Sequence, residues 1–190
     1  MTFDFAAARM NMLDGQVRTS DVTDQAIQDA IRVVEREKLC PPDKAVLAYA
    51  DVEIPCGPGR FLMRPRDVSK LLQVLRPRSG ERALAIAAPY AAAVLAEIGL
   101  KVDQLVDGDL ASPLGGDYDV VICEAAVSSA PAGWLNALAP GGRLAVVERD
   151  GPVGRAKLFV NAESGLAARE VFDSSPSMLP GFERRPQFAF

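Results

Sequence analysis

The first half of the chain carries apolar residues at helical spacing. One stripe, at i, i+3, i+4 and i+7, consists of Ile27, Ala30, Ile31 and Val34. This spacing places side chains on one face of an α-helix, and Thr23 is a suitable N-cap, so we predict a helix from Thr23 to about Glu37. A second apolar stripe predicts a helix from about Arg66 to Leu75, which ends before Pro77.

Three shorter features flank these helices. Apolar residues among the first fifteen predict a short helix that ends near Gly15 and packs on its own domain or on a second copy. Pro41 and Pro42 end the helix of the first stripe, and a further helical segment is expected over residues 43–48. Segment 51–65, DVEIPCGPGRFLMRP, is dense in proline and glycine and is expected to form a surface loop.

After Gly80 the pattern changes to strands that alternate with helices. Short apolar runs and stripes predict strands at 83–87, 102–106, 119–123 and 143–147, and helices at 91–98 and 131–138. This order implies a mostly parallel sheet with helices on its faces, the architecture of mononucleotide-binding α/β folds. Strands predicted at 157–160 and 167–172 form an antiparallel hairpin, and Phe188 with Phe190 indicates a last edge strand.

Composition removes several kinds of chemistry. The 190 residues are 49% hydrophobic and carry a formal net charge of −4, which fits one globular unit and argues against a dedicated nucleic-acid binder. Because the chain has no histidine, we expect no metal site and no hydrolytic triad of the usual kind. The three cysteines lack CxxC spacing and are expected to be reduced thiols of a cytoplasmic protein. No segment has the length of a membrane span.

A basic region surrounds the helix predicted at 66–75. Its cations are Arg60, Arg64, Arg66, Lys70, Arg76, Arg78 and Arg82, against only Asp67 and Glu81. A solvated helix face explains most of this pattern, and an anionic partner is the alternative. A nucleic-acid contact is the weaker form of that alternative, because aromatic residues for base stacking are sparse there.

Several segments carry the motifs of a known family. Residues 11–31, NMLDGQVRTSDVTDQAIQDAI, and 48–65, AYADVEIPCGPGRFLMRP, resemble the N-terminal helical region and the substrate-side loop of the protein-L-isoaspartate O-methyltransferase family. Residues 79–86, SGERALAI, resemble the lead-in to its methyl-donor loop. Residues 117–147, DYDVVICEAAVSSAPAGWLNALAPGGRLAVV, resemble its later strand, helix and turn. The resemblance covers nearly the whole chain.

The resemblance implies a fold and an activity. Members of this family transfer a methyl group from S-adenosylmethionine to the side-chain carboxylate of isoaspartyl residues in damaged proteins. The implied fold is a Rossmann-like methyltransferase sheet, mostly parallel with an antiparallel C-terminal hairpin, preceded by an N-terminal helical extension. Residues 1–78 would hold the helical region and the substrate-side loop, and 79–190 the α/β domain, packed together as one compact unit.

This chain departs from the family pattern at the donor site. Where the family has an acidic residue and a glycine-rich loop, the chain has Ala87, Ala88, Pro89 and Tyr90. Proline has no N–H to donate, and a Cβ makes positive φ costly. About one strand and one helix are missing before Asp107-Gly108, so the sheet is expected to be trimmed and to offer no acid for the cofactor ribose. Met63 stands at the position of the family's active-site hydroxyl.

Two further positions resemble parts of the cofactor site. Asp107-Gly108 matches the Asp-Gly motif that lies beside the adenine in the family, although a surface turn explains it equally well. Glu124 follows the strand predicted at 119–123, where an open α/β sheet places functional groups, and a solvated strand-end acid is the alternative. The remnant cofactor-binding positions are therefore Ala87, Ala88, Pro89, Tyr90, Asp107, Gly108 and Glu124.

Together these features predict a family member that has lost donor binding and catalysis. Such a protein would act as a binding or assembly module for an unknown protein partner, and loss of sheet cover makes a homodimer a further expectation. The alternative is an active S-adenosylmethionine-dependent carboxyl methyltransferase that acts on isoaspartyl residues. An open cavity after the strand at 83–87 would favour the enzyme, and a cavity filled by Tyr90 or Met63 would favour the module.

Overall fold

A computed structural model of the protein describes residues 3–113 and 115–184. The edge strand predicted around Phe188 and Phe190 lies outside these residues.

The first helix is longer than predicted. Helix α1 (Phe5–Met12) does not end near Gly15 but continues as a π-helical turn at Leu13–Val17 and a 3₁₀ turn at Arg18–Ser20. The helical path stops at Asp21, where φ is 63°. Both ends of the π-helical turn are fully buried, and this packing keeps the chain helical past the glycine.

The second helix is shorter than predicted. Helix α2 (Gln25–Val33) is capped by Asp24 and not by Thr23, because the Asp24 carboxylate accepts the Ile27 N–H at 3.2 Å. The helix ends where Val34 takes an extended backbone with ψ at 120°. The buried face predicted for this helix is confirmed, with Val34 half-buried beyond its end.

The segment 51–65 is a hairpin and not the predicted surface loop. Two 3₁₀ turns, Arg36–Leu39 and Pro42–Leu47, lead to strands β1 (Ile54–Gly57) and β2 (Arg60–Leu62), which pair antiparallel. The first residue of β1 and the last of β2 pair with each other and are buried. The glycine and proline residues form the tight turn between the two strands. The strands were not predicted because their buried face is formed by packing against distant parts of the chain.

Among the described residues, six strands form the main sheet. They are β3 (Arg82–Ile86), β4 (Lys101–Leu105), β5 (Tyr118–Val127), β6 (Leu138–Arg149), β7 (Gly154–Ala162) and β8 (Gly165–Asp173). Their spatial order is β4-β3-β5-β6-β7-β8, with the first four parallel and the last two added antiparallel. The predicted α/β fold with a mostly parallel sheet and an antiparallel C-terminal hairpin is confirmed.

Three more helices complete the α/β part, and two of them match the predicted stripes closely. Helix α3 (Pro65–Leu75) starts with a proline in its first turn and helix α4 (Pro89–Ile98) ends at Gly99, whose φ is 100°. The short helix α5 (Ala132–Asn136) follows β5. Within the described part of 106–117, no helix or strand separates β4 from β5. Strand β4 pairs only with β3 and is therefore an edge strand of the described sheet.

Buried residues form two clusters on the two faces of the sheet. Alternate residues of β3 and β5, such as Ala85 and Ile122, face the N-terminal helices together with α3 and α4, while Ile86 and Cys123 face α5. The N-terminal helices, whose buried residues include Met12, share the first cluster with the sheet. The carboxyl ends of β3 and β5 lie between these layers.

Candidate functional site

The loop that follows β3 is short and closed. Ala87 takes a left-handed backbone with φ at 46°, a conformation in which a residue with a Cβ is less stable than glycine by about 1 kcal/mol. Its N–H donates to the Leu105 carbonyl at 3.0 Å. Ala88 caps α4 without a side-chain hydrogen bond, and Pro89 is the first helical residue. Ala87, Ala88 and the following Tyr90 are all buried, so the predicted donor loop exposes little to a ligand.

Glu124 occupies the start of α4. Its carboxylate accepts the Ala91 N–H at 2.5 Å and the Met63 N–H at 3.3 Å, and its exposed fraction is only 1%. The alternative of a solvated strand-end acid is therefore wrong, because β5 continues to Val127 and α4 covers the carboxylate. Free N–H groups at a helix start attract anions, and here an anion of the chain itself holds them.

Arg36 packs over the ring of Tyr90. The Arg36 guanidinium is fully buried, donates to the Ala48 carbonyl at 2.8 Å and to the Met63 carbonyl at 2.5 Å, and stands 4.6 Å from the centroid of the Tyr90 ring. Sequence reasoning missed this residue, since the charged run Arg36-Glu37-Lys38 has the composition of a solvated turn. No local signal distinguishes the buried Arg36 from the exposed Lys38.

Burial dominates the electrostatics of this cluster. It raises the pKa of Glu124 to about 6, although Arg36 and the backbone N–H donors of Ala91, Met63 and Tyr90 favour the charged form. Burial also raises the pKa of the Tyr90 phenol above its ordinary value. The Tyr90 hydroxyl and one Arg36 nitrogen, Nη1, are buried and find no hydrogen-bond partner among the described residues. The polar groups of this cluster therefore face the protein interior and not the solvent.

Met63 and Tyr90 fill this region of the molecule. Both side chains are fully buried, and the Met63 backbone binds Glu124 through its N–H and Arg36 through its carbonyl. The structure thereby joins four predicted positions, Met63, Tyr90, Ala88 and Glu124, in one packed cluster around the start of α4.

Asp107 and Gly108 lie apart from that cluster. The Asp107 carboxylate follows the carboxyl end of β4 and accepts from the Arg60 guanidinium at 2.5 Å. An acid thus stands at the end of the strand beside β3, contrary to the expectation that none is left there. Gly108, with φ at 80°, lines an open hollow of about 480 Å³ together with Ser128 and Phe182. This hollow lies outside the carboxyl ends of β4 and β5, where α/β sheets place ligands.

Ion pairs neutralise part of the basic region around α3. Arg60 pairs with Asp107, and Arg82 pairs with Asp103 at 2.8 Å. The Lys70 ammonium lies 4.7 Å from the centroid of the Phe172 ring. The predicted continuous patch is thereby divided, and its remaining cations face different surfaces.

Two further observations concern metals and membranes. In residues 3–113 and 115–184, no group of three or more Cys, Asp or Glu side chains is arranged to hold a metal ion. No helix in the described part of the chain has the length and apolar character needed to cross a membrane.

Comparisons with known proteins find similar chains by sequence and by structure. No family model matches the chain. A protein-L-isoaspartate O-methyltransferase from Methylorubrum populi is 31% identical, over 90% of this chain and 92% of its own length. Protein-L-isoaspartate O-methyltransferase 1 from Rhodopseudomonas palustris is 32% identical, over 74% of this chain and 69% of its own length.

Solved structures show the same fold. One protein-L-isoaspartate O-methyltransferase superimposes with a TM-score of 0.74 at 18% identity, over 92% of this chain and 67% of its own. A structure from Plasmodium falciparum, described as a protein-L-isoaspartate O-methyltransferase in complex with S-adenosyl-L-homocysteine, gives a TM-score of 0.73 at 14% identity. The match covers 94% of this chain and 99% of the other.

Proposed function

The chain belongs to the protein-L-isoaspartate O-methyltransferase family, and we propose that it keeps the family fold without binding S-adenosylmethionine. In this proposal it acts as a binding or assembly module in the cytoplasm, where its three free cysteines remain reduced. The observation that supports the proposal best is the buried Glu124 carboxylate, which takes the N–H groups at the start of the helix that follows the donor loop.

The residues at this loop do not fit the donor. Pro89 has no N–H, and the Ala91 N–H is already bonded to Glu124. The methyl groups of Ala87 and Ala88 stand where a glycine-rich loop would allow close backbone approach. Each lost neutral hydrogen bond weakens binding by about 0.5–1.5 kcal/mol, so loss of several lowers affinity by orders of magnitude.

Calorimetry with S-adenosylmethionine and S-adenosyl-L-homocysteine tests this proposal. We expect no saturable heat at ligand concentrations up to about 1 mM, which corresponds to a binding free energy weaker than about 4 kcal/mol. The relative from Methylorubrum populi, titrated under the same conditions, is the matched control. Saturable binding to this chain at micromolar ligand would overturn the proposal.

A second candidate function is methyl transfer to isoaspartyl residues. Asp107, at the carboxyl end of β4, and the hollow beside Gly108 favour it, because an acid at this place can hold a ribose. Methyl transfer from a sulfonium chiefly requires alignment of donor and carboxylate, so the lack of histidine does not exclude it.

The two functions are separated by an assay with radiolabelled S-adenosylmethionine and an isoaspartyl peptide. We expect no label on the peptide. Transfer that is abolished in Asp107→Asn and retained in Asp43→Asn, which changes an exposed acid on the distant 3₁₀ turn Pro42–Leu47, would establish the enzyme instead.

A further inference from the structure

A groove lies at the amino-terminal edge of the parallel strands, opposite Glu124. Two adjoining hollows of about 450 and 400 Å³ share the side chains of Val74, Arg76, Arg78 and Arg169. The last turn of α3 and the start of β6 form one wall, and β7 with β8 forms the other. Because both hollows share these residues, they form one continuous open groove.

Three exposed guanidinium groups line this groove. Among the described residues, Arg76, Arg78 and Arg169 form no ion pair. The pairing of β7 with β8 sets Arg169 opposite Leu158, which also lines the groove. The next residue, Glu170, points to the other face of the sheet, where it lies 3.9 Å from Arg155.

The carboxylates near the groove already have partners. Asp24 lines one end, but it caps α2 by accepting the Ile27 N–H. The Glu81 carboxylate accepts from the Arg143 guanidinium at 2.9 and 3.0 Å and from the Arg78 N–H at 2.9 Å. The guanidinium groups of Arg76, Arg78 and Arg169 therefore remain available to an anion from outside.

The end of α3 that carries these cations is rigidly held. The Arg143 guanidinium donates to the Leu75 carbonyl at 2.8 Å and to the Arg76 carbonyl at 3.0 Å, while Glu81 holds its other side. Arg76 itself takes φ 49° and ψ 58°, a left-handed C-cap in which glycine is favoured. An arginine thus occupies a backbone conformation that favours glycine. This unfavourable conformation is consistent with a functional role for the Arg76 side chain.

Apolar side chains separate the cations along the floor. The half-buried Val74 and Val160 line the two hollows over the buried Leu75, Pro77 and Leu158, and no aromatic side chain of the described residues does. A single nucleic-acid strand is usually held by bases stacked on aromatic rings, which this floor lacks. An extended peptide with acidic and apolar side chains matches both the arginines and the floor.

We propose that this groove binds an acidic segment of a partner protein. The recognition chemistry is ion pairing of carboxylates with Arg76, Arg78 and Arg169 over an apolar floor. The formal charge of the whole chain is −4, so this cationic surface is a local feature and not part of a generally basic protein. The proposal is independent of whether the methyl donor binds at the opposite edge of the sheet.

Fluorescence anisotropy of the full chain with a labelled decaglutamate peptide tests the groove. We expect saturable binding at low salt that weakens as salt rises, because exposed ion pairs are screened. The triple variant Arg76→Gln, Arg78→Gln, Arg169→Gln should bind at least about tenfold more weakly. The matched control replaces three paired arginines elsewhere, Arg32→Gln, Arg155→Gln and Arg184→Gln, and removes the same charge.

Each outcome decides for or against the proposal. Retained binding in the control with loss in the groove variant supports it, provided circular dichroism shows both variants folded. The single variants Arg78→Gln and Arg169→Gln serve if the triple variant unfolds, and each should weaken binding. Equal losses in both triple variants, no binding by the parent chain, or tighter binding of a ten-nucleotide oligothymidylate would overturn it.

Discussion

Two opposite charges are buried around Tyr90, Arg36 over its ring and Glu124 at the start of the helix that carries it. Transfer of each charge from water costs several kcal/mol, and only hydrogen bonds and mutual attraction offset it. Arg36 bonds two backbone carbonyls and Glu124 bonds backbone N–H groups, so each charge is held mainly by the main chain. Such an arrangement tolerates removal of one partner poorly.

Arg36→Met should therefore be strongly destabilising. We expect the free energy of unfolding to fall by about 3–5 kcal/mol, because the substitution leaves the buried Glu124 charge without its cation and two carbonyls without a donor. Urea denaturation followed by circular dichroism measures the change. The exposed Arg32→Met should shift it by less than about 1 kcal/mol. A loss of that small size in Arg36→Met would show that the cation is dispensable.

The raised pKa of Glu124 gives a pH dependence of defined sign. Its pKa rises from 4.5 to about 6 on folding, so the folded state binds the proton more tightly than the unfolded state. This contribution is full below pH 4.5 and is lost as pH rises through about 6, a decrease of about 2 kcal/mol.

Comparison with Glu124→Gln isolates that contribution. The free energy of unfolding of the parent minus that of the variant should decrease by about 1.5 kcal/mol between pH 4.5 and pH 6.5, measured by urea denaturation at each pH. The exposed Glu163→Gln is the control and should give a constant difference. Parallel profiles for parent and Glu124→Gln would show that Glu124 does not titrate in this range.

At the scale of elements, helix α5 depends on close backbone contact with the loop before β5. A Cβ placed on Gly133 would lie 2.2 Å from the Ala111 carbonyl oxygen and 3.3 Å from the Ser112 Cα. Both neighbours are backbone atoms, so they cannot move aside as a flexible side chain does. This contact sets the position of α5, which is also held by its own Trp134, whose indole N–H donates to the Leu110 carbonyl at 2.6 Å.

Gly133→Ala should consequently lower the free energy of unfolding by about 1–3 kcal/mol, the usual cost of overpacking. Gly15→Ala is the matched control, since its Cβ would meet nothing within 4 Å and its backbone is helical. Thermal unfolding of both variants measures the difference. Equal melting temperatures would show that the loop at 111–112 adjusts freely.

At the scale of the whole molecule, the trimmed sheet does not leave a bare apolar edge. Strand β4 exposes Lys101, Asp103 and Gln104, polar residues of the kind that protect edge strands from pairing. The apolar surface lies elsewhere, at the N-terminal helices. There the exposed Phe3 and Val46 line a hollow of about 270 Å³. Self-association was expected either through the N-terminal helix or through a bared sheet surface. The exposed apolar residues at the N-terminal helices favour the first route.

We therefore expect a homodimer that forms through the hollow lined by Phe3 and Val46. Light scattering over a concentration series should show a dimer, and Val46→Asp should weaken its formation at least about tenfold because a charge would be buried in the contact. Val153→Asp replaces an equally exposed valine at a distant turn and should leave the dimer intact. A monomer at high concentration would contradict the expectation.

Predictions from periodicity succeeded where structure is set by neighbours in sequence. Helices α3 and α4 match closely, and the hairpin of β7 with β8 was predicted at the right place with strands that are too short, since their stripes and turns are local. The hairpin of β1 with β2 was not predicted, because its buried face exists only against β5 and the helices around it. Helix α2 was predicted too long for a similar reason. The helix ends at Val33, and the chain leaves the helical path to bury Arg36 in the following 3₁₀ turn.

The sequence by itself determined the α/β fold, the family and the chemistry absent from the donor loop, because alternation of elements and the identity of residues 87–90 are local facts. Only the tertiary structure decided what replaces that chemistry. Glu124 bonds Ala91 and Met63, which lie 33 and 61 positions away, so its burial is invisible in any local pattern. The arginine groove likewise exists because chain packing brings the end of α3 against β7 and β8.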